Sequence, residues 1–315
     1  MTRALPRSLP LPRLHDAVTV VAAPGDGPGY WAGGPSAVYA DGWYHLAYRL
    51  RRPLHEGRGY ANVVARSRDG VDFETVAVLE RRAFGAASLE RPALVRRPDG
   101  GWRIYVSCST PGSLHWWVDA IDADDPAAFR AQDRRTVLPG DEEHAVKDVV
   151  VKCGVGGWQM WACIHTIAVP EDGDRMFTAY ATSDDGLAWD FHGRALAPRA
   201  GMWDSRGARV ADVLLPEHPG DEIVAWYDGR ASAAENQEER TGIAMGDEPG
   251  ALHAIGDEPV LEAPAAPDTP AAPAGTRGLR YLSAVRLPDG AHRLYYEITR
   301  SDGAHDLRTE YSPAP

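Results

Sequence analysis

One unit of sequence occurs five times along this chain, and no other feature constrains its fold as strongly. Each copy has a short apolar strand, a turn containing glycine, and a second strand rich in aromatic and β-branched residues. The copies begin at Gly34, Glu90, Lys147, Arg206 and Arg280. Asp-Gly pairs such as Asp41-Gly42 supply the positive φ angle that a tight hairpin turn requires. Each copy is therefore predicted to be a β-hairpin.

The spacing of the copies, roughly 55 to 70 residues, leaves room for two more strands in each unit. Four antiparallel strands form one blade of a β-propeller. The sequence therefore predicts an all-β, five-bladed propeller that spans residues 1–315 as a single domain. We expect blades near 30–80, 88–138, 145–198, 203–262 and 278–312. The last of these is one strand short, so a strand at 17–22 is expected to complete it and close the ring.

Three local signals refine this prediction. The segments at 67–73 and 183–189 share the pattern Ser-x-Asp-Gly-x-x-aromatic, which is typical of the Asp-box turn on propeller edges. Helical periodicity is missing elsewhere, but Ser232 followed by Glu235 is predicted to form a capping box at the start of a short helix. The low-complexity segment 262–275 is expected to be an exposed loop.

Charge and composition exclude several kinds of partner. The net charge of −12 repels nucleic acids and anionic membranes, so neither is expected to bind. The N-terminal segment has no apolar core of signal-peptide length, and no run approaches a membrane span. Three cysteines without a CxxC pair suit a reducing compartment, so we expect a cytoplasmic protein. No zinc-like spacing, phosphate loop or serine nucleophile elbow occurs, and we expect neither a metal nor a cofactor.

Strand polarity predicts which residues share one face of the molecule. The first strand of every repeat starts at this face, the Asp-Gly turn lies at the opposite face, and the second strand returns. Residues that precede the first strands should therefore meet residues that follow the second strands. These two groups hold most of the carboxylates, arginines and histidines that lie beside apolar strands, which predicts a polar site at this face.

At repeat level the chain resembles the five-bladed glycoside hydrolases of family 43 and their relatives. The segment that begins at Gly34 is similar to the first-blade strand of that family, and the strand around Asp148 is similar to its third-blade strand. The resemblance implies that Asp148 is the carboxylate that orients and tunes the catalytic pair. Gly34 and Arg206, however, stand where the family has its catalytic base and acid.

The catalytic candidates are therefore Asp148 and a displaced pair drawn from Glu90, Glu239 and Glu297. Asp148 heads an apolar strand, which predicts a buried carboxylate with a partner. Neighbouring residues on a strand point to opposite sides, so only one of Glu90 and Arg91 can reach the central pocket. The other is expected to form an ion pair between blades.

Further side chains on the same face are candidates for substrate binding. They are Trp31, Arg91, Lys147, His165, Arg206, Arg209, Asp228, Arg230, Arg240, Tyr281, Arg300 and His305. Tryptophans can stack on sugar rings or pack in the core, and arginines can bind a ligand or a structural carboxylate. His305 is a candidate ligand for a central ion or a structural histidine.

Together these observations predict a glycoside hydrolase-like enzyme that acts on a small glycoside by carboxylate acid–base chemistry. Because the predicted site gathers arginines in a chain of net negative charge, we expect the ligand to be anionic. Two alternatives remain open from the sequence. One is a carbohydrate- or metabolite-binding propeller without catalysis, and the other is a phosphorylase that uses phosphate instead of water.

Overall fold

The computed structural model describes residues 9–154, 156–216, 221–265 and 275–314. Strands dominate this part of the chain, with six 3-10 helices of three or four residues, so the all-β class is confirmed. No helix within these ranges is long and apolar enough to cross a membrane. Most of the loop predicted at 262–275 lies outside the described residues, which omit 266–274.

The strands pair in antiparallel runs of four, each in chain order. The first run contains β2 (Trp31–Ala40), β3 (Trp43–Arg51), β4 (Gly59–Ser67) and β5 (Glu74–Glu80). The second contains β6 (Ser88–Arg96), β7 (Trp102–Ser109), β8 (Trp116–Ala123) and β9 (Arg135–Leu138). The third contains β10 (His144–Gly154), β11 (Gly157–Thr166), β12 (Met176–Ser183) and β13 (Asp190–Leu196). The fourth contains β14 (Gly207–Leu214), β15 (Ile223–Arg230), β16 (Arg240–Glu248) and β17 (Ala251–Ile255).

The last run draws on both ends of the chain. It contains β18 (Leu279–Arg286), β19 (His292–Thr299) and β20 (His305–Ser312), and β1 (Val18–Val21) pairs antiparallel with β20. The N-terminal strand thus covers an edge of the last sheet that would otherwise be open.

The short helices connect the strands. They are Leu54–Glu56, Arg81–Phe84, Pro126–Ala128, Ala131–Asp133, Pro170–Asp172 and Ala233–Glu235. The predicted capping box is wrong, because the side chain of Ser232 makes no capping hydrogen bond. The segment makes a single 3-10 turn. Glu235 Oε2 accepts a hydrogen bond of 2.7 Å from the backbone N–H of Ala231 and not from that of Ser232.

Apolar side chains fill the space between successive sheets. The described residues form five buried clusters, and each cluster combines residues of two sheets that follow one another. Ala32 and Leu46 of the first sheet share the last cluster with Tyr295 and Leu307 of the fifth. Alternate residues of each strand point to opposite faces, so each sheet contributes one apolar face to each neighbour.

The first strand of every sheet lies at the centre of the molecule. These strands contact each other in chain order, and β18 also contacts β2. Each has a β-bulge near its start, between Gly33/Ser36, Leu89/Pro92, Lys147/Val150, Val210/Asp212 and Arg280/Ser283. A bulge reorients the side chains beside it. The five bulges therefore determine which residues face the central axis.

Side-chain to backbone hydrogen bonds join the central strands to their neighbours. The bonds run from the N–H of Ala37 to Ser283 Oγ (3.1 Å), Leu94 to Ser36 Oγ (2.9 Å), Asp148 to Ser107 Oγ (2.9 Å), Val210 to Thr178 Oγ1 (2.9 Å) and Ala284 to Asp212 Oδ2 (2.7 Å). Every boundary between successive sheets contains one of these bonds. They satisfy buried backbone groups near the bulges and fix the position of each sheet relative to the next.

Both predicted Asp-box segments form the same hydrogen-bonded turn. In the first, Ser67 Oγ accepts from the N–H of Gly70 at 2.9 Å, and Asp69 Oδ1 accepts from the N–H of Val71 at 2.9 Å. The turn then receives a hydrogen bond of 2.9 Å from Tyr295 Oη to the carbonyl of Gly70. The second turn repeats this arrangement with Tyr105, so both turns anchor their sheet to the preceding one.

Removal of residues 1–24 is expected to destabilise the protein. The deletion exposes the edge of β20 and removes two hydrogen-bond donors to Glu310, the N–H of Arg13 at 2.8 Å and that of Leu14 at 3.0 Å. We expect the melting temperature in differential scanning calorimetry to fall by about 5 °C or more. A truncated protein that melts like the full chain would show that β1 contributes nothing to the ring.

Candidate functional site

A cavity of about 370 Å³ opens at the end of the central strands where the bulges lie. Its wall comes from the starts of the first strands and the ends of the second strands, with loops between them, as strand polarity predicts. The lining charged and aromatic residues are Trp31, Arg49, Arg51, Arg58, Glu90, Trp116, Lys147, His165, Asp174, Arg209, Arg230, Glu239, Arg280 and Tyr281. The cavity is therefore strongly polar and unusually rich in arginine.

Alternating carboxylates and guanidinium groups form a continuous chain along one side of this cavity. In order, the chain is Glu90, Arg49, Glu297, Arg280, Glu239 and Arg230. Arg49 lies 2.6 Å from Glu90 and 3.4 Å from Glu297. Arg280 lies 2.8 Å from Glu297 and also bonds Glu239. Buried charges are tolerated only when paired in this way, so each member holds its neighbours in place.

Arg209 organises a second group of charged residues in the wall of the cavity. Its guanidinium lies 3.2 Å from Asp148 and 2.9 Å from Asp228. It also lies over the ring of Tyr281, 3.9 Å from the ring centroid. Tyr281 donates its hydroxyl to Asp148 Oδ2 at 3.2 Å and its backbone N–H to Asp228 Oδ1 at 3.0 Å. One guanidinium thus links three different sheets.

The surrounding cations hold most of these carboxylates ionised. Burial by itself raises the pKa of Glu90, but Arg58 and Arg49 outweigh that effect and lower the pKa below its usual range. The pKa values of Glu239 and Glu297 are lowered in the same way against the effect of burial, chiefly by Arg280. Lys147 and Arg209 do the same for the pKa of Asp148. Only for Asp228 does burial prevail and raise the pKa.

Two cations of the cavity are left without a close acidic partner among the described residues. Arg51 forms no ion pair there; its guanidinium lies 4.0 Å from the ring centroid of Trp31, and burial lowers its pKa to about 9. Lys147 Nζ comes no closer than 3.9 Å to Asp148 and lies 4.7 Å from the ring centroid of Trp116. Burial also lowers the pKa of Lys147. Both groups can therefore bind a ligand.

His165 contributes a neutral imidazole to the same cavity. Burial lowers its pKa to about 3. Its Nδ1 lies 3.0 Å from the carbonyl of Gly173, which makes Nδ1 the protonated nitrogen. Its Nε2 has no hydrogen-bond partner among the described residues. This nitrogen is therefore a free acceptor for a hydroxyl group.

The structure brings most of the candidate residues to this cavity or directly behind its wall. Glu90, Glu239, Trp31, Lys147, His165, Arg209, Arg230 and Tyr281 line it. Asp148, Asp228 and Glu297 lie behind the wall with fully buried side chains, where they bind the lining arginines. Of the four catalytic candidates, only Glu90 and Glu239 can reach a ligand directly.

Five other candidates lie outside the lining. Arg91 does not face the cavity, because neighbouring residues on a strand point to opposite sides and Glu90 faces inward. The guanidinium of Arg91 instead donates to the carbonyl of Pro35 at 2.9 Å. Arg206, Arg240 and Arg300 do not line the cavity; Arg206 binds Asp174 in the cavity wall, Arg240 binds Glu235, and Arg300 binds both Asp26 and Asp302. His305 stacks behind Trp31 with 4.5 Å between ring centroids and bonds Glu297 at 2.6 Å.

Several lining residues were not among the sequence candidates. They are Arg49, Arg51, Arg58, Asp174 and Arg280. Strand polarity had placed the segments containing the four arginines on the correct face, but nothing in an arginine-rich sequence separates a site arginine from a structural one. The described residues contain no group of three or more histidine, cysteine or acidic side chains arranged to hold a metal ion.

Comparison with known proteins agrees with this architecture. The chain is similar to β-1,2-mannobiose phosphorylase from Listeria innocua, with a TM-score of 0.62, 14% identity, and coverage of 95% of this chain and 92% of that one. It is also similar to a thermostable family-43 glycoside hydrolase, with a TM-score of 0.64, 14% identity, and coverage of 92% of this chain and 91% of that one. For a glycosyl hydrolase from Bacteroides ovatus the TM-score is 0.60 and the identity 14%, with coverage of 98% of this chain and 94% of that one. No protein-family description matches the chain. No curated protein matches it either.

The fold is therefore that of the β-propeller glycoside hydrolases and phosphorylases, and the predicted resemblance is confirmed at that level. The sequence identity to these structures is low, at 14% for each of the three. Gly34 has no side chain and therefore no catalytic carboxylate. Its φ is +60°, and a Cβ atom added at this position would lie 3.3 Å from the Cβ of Arg91. Arg206 does not line the cavity and binds Asp174, a residue of its wall, at 2.5 Å.

The two kinds of arginine should differ in their effect on stability. Replacement of Arg209 by Met leaves Asp148 and Asp228 without their guanidinium partner, so the free energy of unfolding should fall by about 3–5 kcal/mol. Replacement of Arg51 by Met leaves no carboxylate without its partner, so the free energy of unfolding should change by about 1 kcal/mol or less. Urea denaturation followed by tryptophan fluorescence measures both values. Equal losses in the two variants would contradict this assignment of partners.

Stability should also fall in acid. Glu90, Glu239, Glu297 and Asp148 have folded-state pKa values below those of the unfolded chain. Their contribution is therefore complete above the ordinary carboxyl pKa of about 4 and is lost as pH falls below it. Asp228, whose pKa is raised, offsets only part of this loss of stability in acid.

We expect the melting temperature to start falling near pH 5 and to keep falling below pH 3, because the folded-state pKa values of these carboxyl groups lie well below 4. In Glu297→Gln, which lacks one of these carboxyl groups, the protein should be less stable at pH 7 and the decline should be shallower. A melting temperature at pH 3 equal to that at pH 7 would contradict the ionised network.

Proposed function

We propose that this protein cleaves the glycosidic bond of a small sugar substrate that carries an anionic group, and that it does so in the central cavity. The fold supports a glycosidase-like function, since its structural neighbours include glycoside hydrolases and a mannobiose phosphorylase. The anionic character of the substrate is argued from the charges of the cavity.

Cations outnumber carboxylates in and around this cavity. Seven cationic side chains line it: Arg49, Arg51, Arg58, Lys147, Arg209, Arg230 and Arg280. Three carboxylates also line it, Glu90, Asp174 and Glu239, and three more lie behind the wall. The excess arises in a chain whose net charge is −12, so it does not follow from overall composition.

The unpaired guanidinium of Arg51 is the observation that carries the proposal. A buried cation without an acidic partner is costly, and a site that binds an anion recovers this cost when the ligand arrives. Arg58 lies 3.5 Å from Glu90, and Arg51 and Lys147, which line the same cavity, also lower the pKa of Glu90. A carboxylate, sulfate or phosphate group of the substrate would be held by these cations through charge-assisted hydrogen bonds.

Anion binding would also prepare Glu90 to act as a proton donor. In the free protein the cations around Glu90 keep it ionised. A bound anion neutralises part of their field, so the pKa of Glu90 rises toward the range that a general acid needs. Glu239 remains tied to Arg230 and Arg280 and stays ionised, where its charge would stabilise an oxocarbenium-like transition state.

A second function is favoured by the same carboxylates. Because Glu90 and Glu239 are both ionised in the free protein, neither is ready to donate a proton, and a cavity of this kind could bind a sugar without cleaving it.

Inorganic phosphate is also an anion that Arg51 and Lys147 could hold, which would suit a phosphorylase.

The wider architecture is part of the proposal. We assign the five sheets as five blades of one closed propeller domain, supported by the apolar cluster between the fifth and first sheets and by the pairing of β1 with β20. The three free cysteines are compatible with a reducing compartment, and we propose the cytoplasm.

A screen of aryl glycosides tests the function. We expect release of the aryl alcohol from glycosides of uronic acids, sulfated sugars or sugar phosphates, and little from the neutral parent glycosides. Arg51→Gln should lower kcat/KM for the anionic substrate about 10- to 100-fold, which is the effect of losing one charge-assisted hydrogen bond. Arg66→Gln, which removes an exposed arginine paired with Glu74, is the matched control and should have no effect.

The outcomes separate the alternatives. Release that requires added phosphate identifies a phosphorylase. Ligand-induced thermal stabilisation without any release identifies a binding protein. Equal activity on neutral glycosides, or full activity of Arg51→Gln on the anionic ones, overturns the proposal of an anionic substrate.

A further inference from the structure

Two residues in the central strands have backbone conformations that side chains other than glycine rarely adopt. Asp148 has a φ of +50° and Tyr281 a φ of +55°. Among the described residues, no other non-glycine residue within a strand has a positive φ. Such strain is energetically unfavourable and concentrates at functional sites. Both residues sit at bulges.

These two strained residues are partners, although they come from different sheets. Tyr281 in β18 donates its hydroxyl to Asp148 Oδ2 in β10 at 3.2 Å. The bulges in β10 and β18 therefore bring a phenol and an ionised carboxylate together at the centre of the molecule. A nucleophile and the base that can take its proton need this hydrogen bond.

The surroundings of the Tyr281 ring are strongly positive. Four guanidinium groups lie within 6 Å of its centroid: Arg209 at 3.9 Å, Arg280 at 5.2 Å, Arg49 at 5.4 Å and Arg91 at 5.7 Å. They attract the neutral ring through its π face, and they stabilise negative charge that develops on the phenol oxygen even more strongly. Burial raises the pKa of Tyr281, so the phenol holds its proton until Asp148 removes it.

Tyr281 also has access to a ligand, because it lines the same cavity as Glu90 and Arg51. A carboxylate nucleophile would repel an anionic sugar, whereas a phenol is neutral as the sugar arrives. At Gly34, in the corresponding bulge of β2, there is no side chain that could act.

We propose that Tyr281 is the catalytic nucleophile of this site and that Asp148 is its general base. This inference rests on the proposed function, since it requires that a glycosidic bond be cleaved in the cavity. It further predicts that the anomeric configuration of the substrate is retained.

The bond changes balance in two steps. In the first, Tyr281 Oη forms a bond to the anomeric carbon, its proton moves to Asp148, and the bond to the leaving oxygen breaks with its electron pair on that oxygen. An aryl group departs as aryloxide, whereas an alkoxide takes a proton from Glu90. In the second step, water attacks the anomeric carbon, and the bond between that carbon and Tyr281 Oη breaks with its electron pair on Oη. Tyr281 Oη then recovers its proton from Asp148, and the proton lost by water passes to the aryloxide or to Glu90.

The test uses the aryl glycoside that the wild-type protein cleaves most rapidly. Tyr281→Phe keeps the ring and its contacts with arginine but lacks the nucleophilic oxygen. We expect its kcat to fall by about 10³-fold or more. Tyr295→Phe is the matched control, because it removes another buried phenol whose hydrogen bond, 2.9 Å to the carbonyl of Gly70, lies away from the cavity.

Two readouts distinguish a nucleophile from a structural tyrosine. Proton NMR of the first product should show retained anomeric configuration. The corresponding 2-deoxy-2-fluoro glycoside, bearing a dinitrophenyl leaving group, should inactivate the protein and add the mass of the fluorosugar to the tryptic peptide that contains Tyr281. Asp148→Asn should slow this labelling by about 10²-fold.

Inversion of configuration, a label on a residue other than Tyr281, or a Tyr281→Phe variant as active as Tyr295→Phe overturns the nucleophile while leaving the proposed function intact. Complete failure of the wild-type protein to cleave any glycoside of the panel overturns both.

Discussion

The pairing of buried charge determines what this cavity can be. An isolated guanidinium or carboxylate in the interior is prohibitively costly, so each must find a partner or lose its charge. Glu90, Arg49, Glu297, Arg280 and Glu239 satisfy this requirement as one chain, and Arg209 with Asp148 and Asp228 satisfies it as a second group. The site is consequently rigid, ionised and dependent on every member.

The same requirement makes the exceptions informative. Arg51 faces the cavity without an acidic partner, and Lys147 has only a distant one. Side chains of this kind are hard to explain by folding alone, since the protein would be as stable or more stable with an apolar residue there. They are understandable if a ligand supplies the missing negative charge.

Much of this fold could be predicted from sequence, because a repeat is a global signal. The hairpins, the Asp-box turns at Ser67 and Ser183, and a strand near 17–22 all follow from local patterns that repeat. Side-chain partners do not repeat. The sequence indicated that only one of Glu90 and Arg91 reaches the cavity, but the choice depends on the register of a bulge. Arg300 and Arg206 lie on the predicted face and still bind Asp302 and Asp174, because carboxylates close to each guanidinium compete with a ligand for it.

The central claim is that anionic sugars bind against the unpaired cations beside Glu90. Isothermal titration calorimetry of uronates and sugar phosphates against their neutral parent sugars, repeated in buffers of different ionisation enthalpy, measures both affinity and proton exchange. The account predicts preferential binding of the anions, with proton uptake as the pKa of Glu90 rises, and weaker binding to Arg51→Gln. Equal affinity for the neutral sugars, or anion binding that Arg51→Gln leaves unchanged, would contradict it.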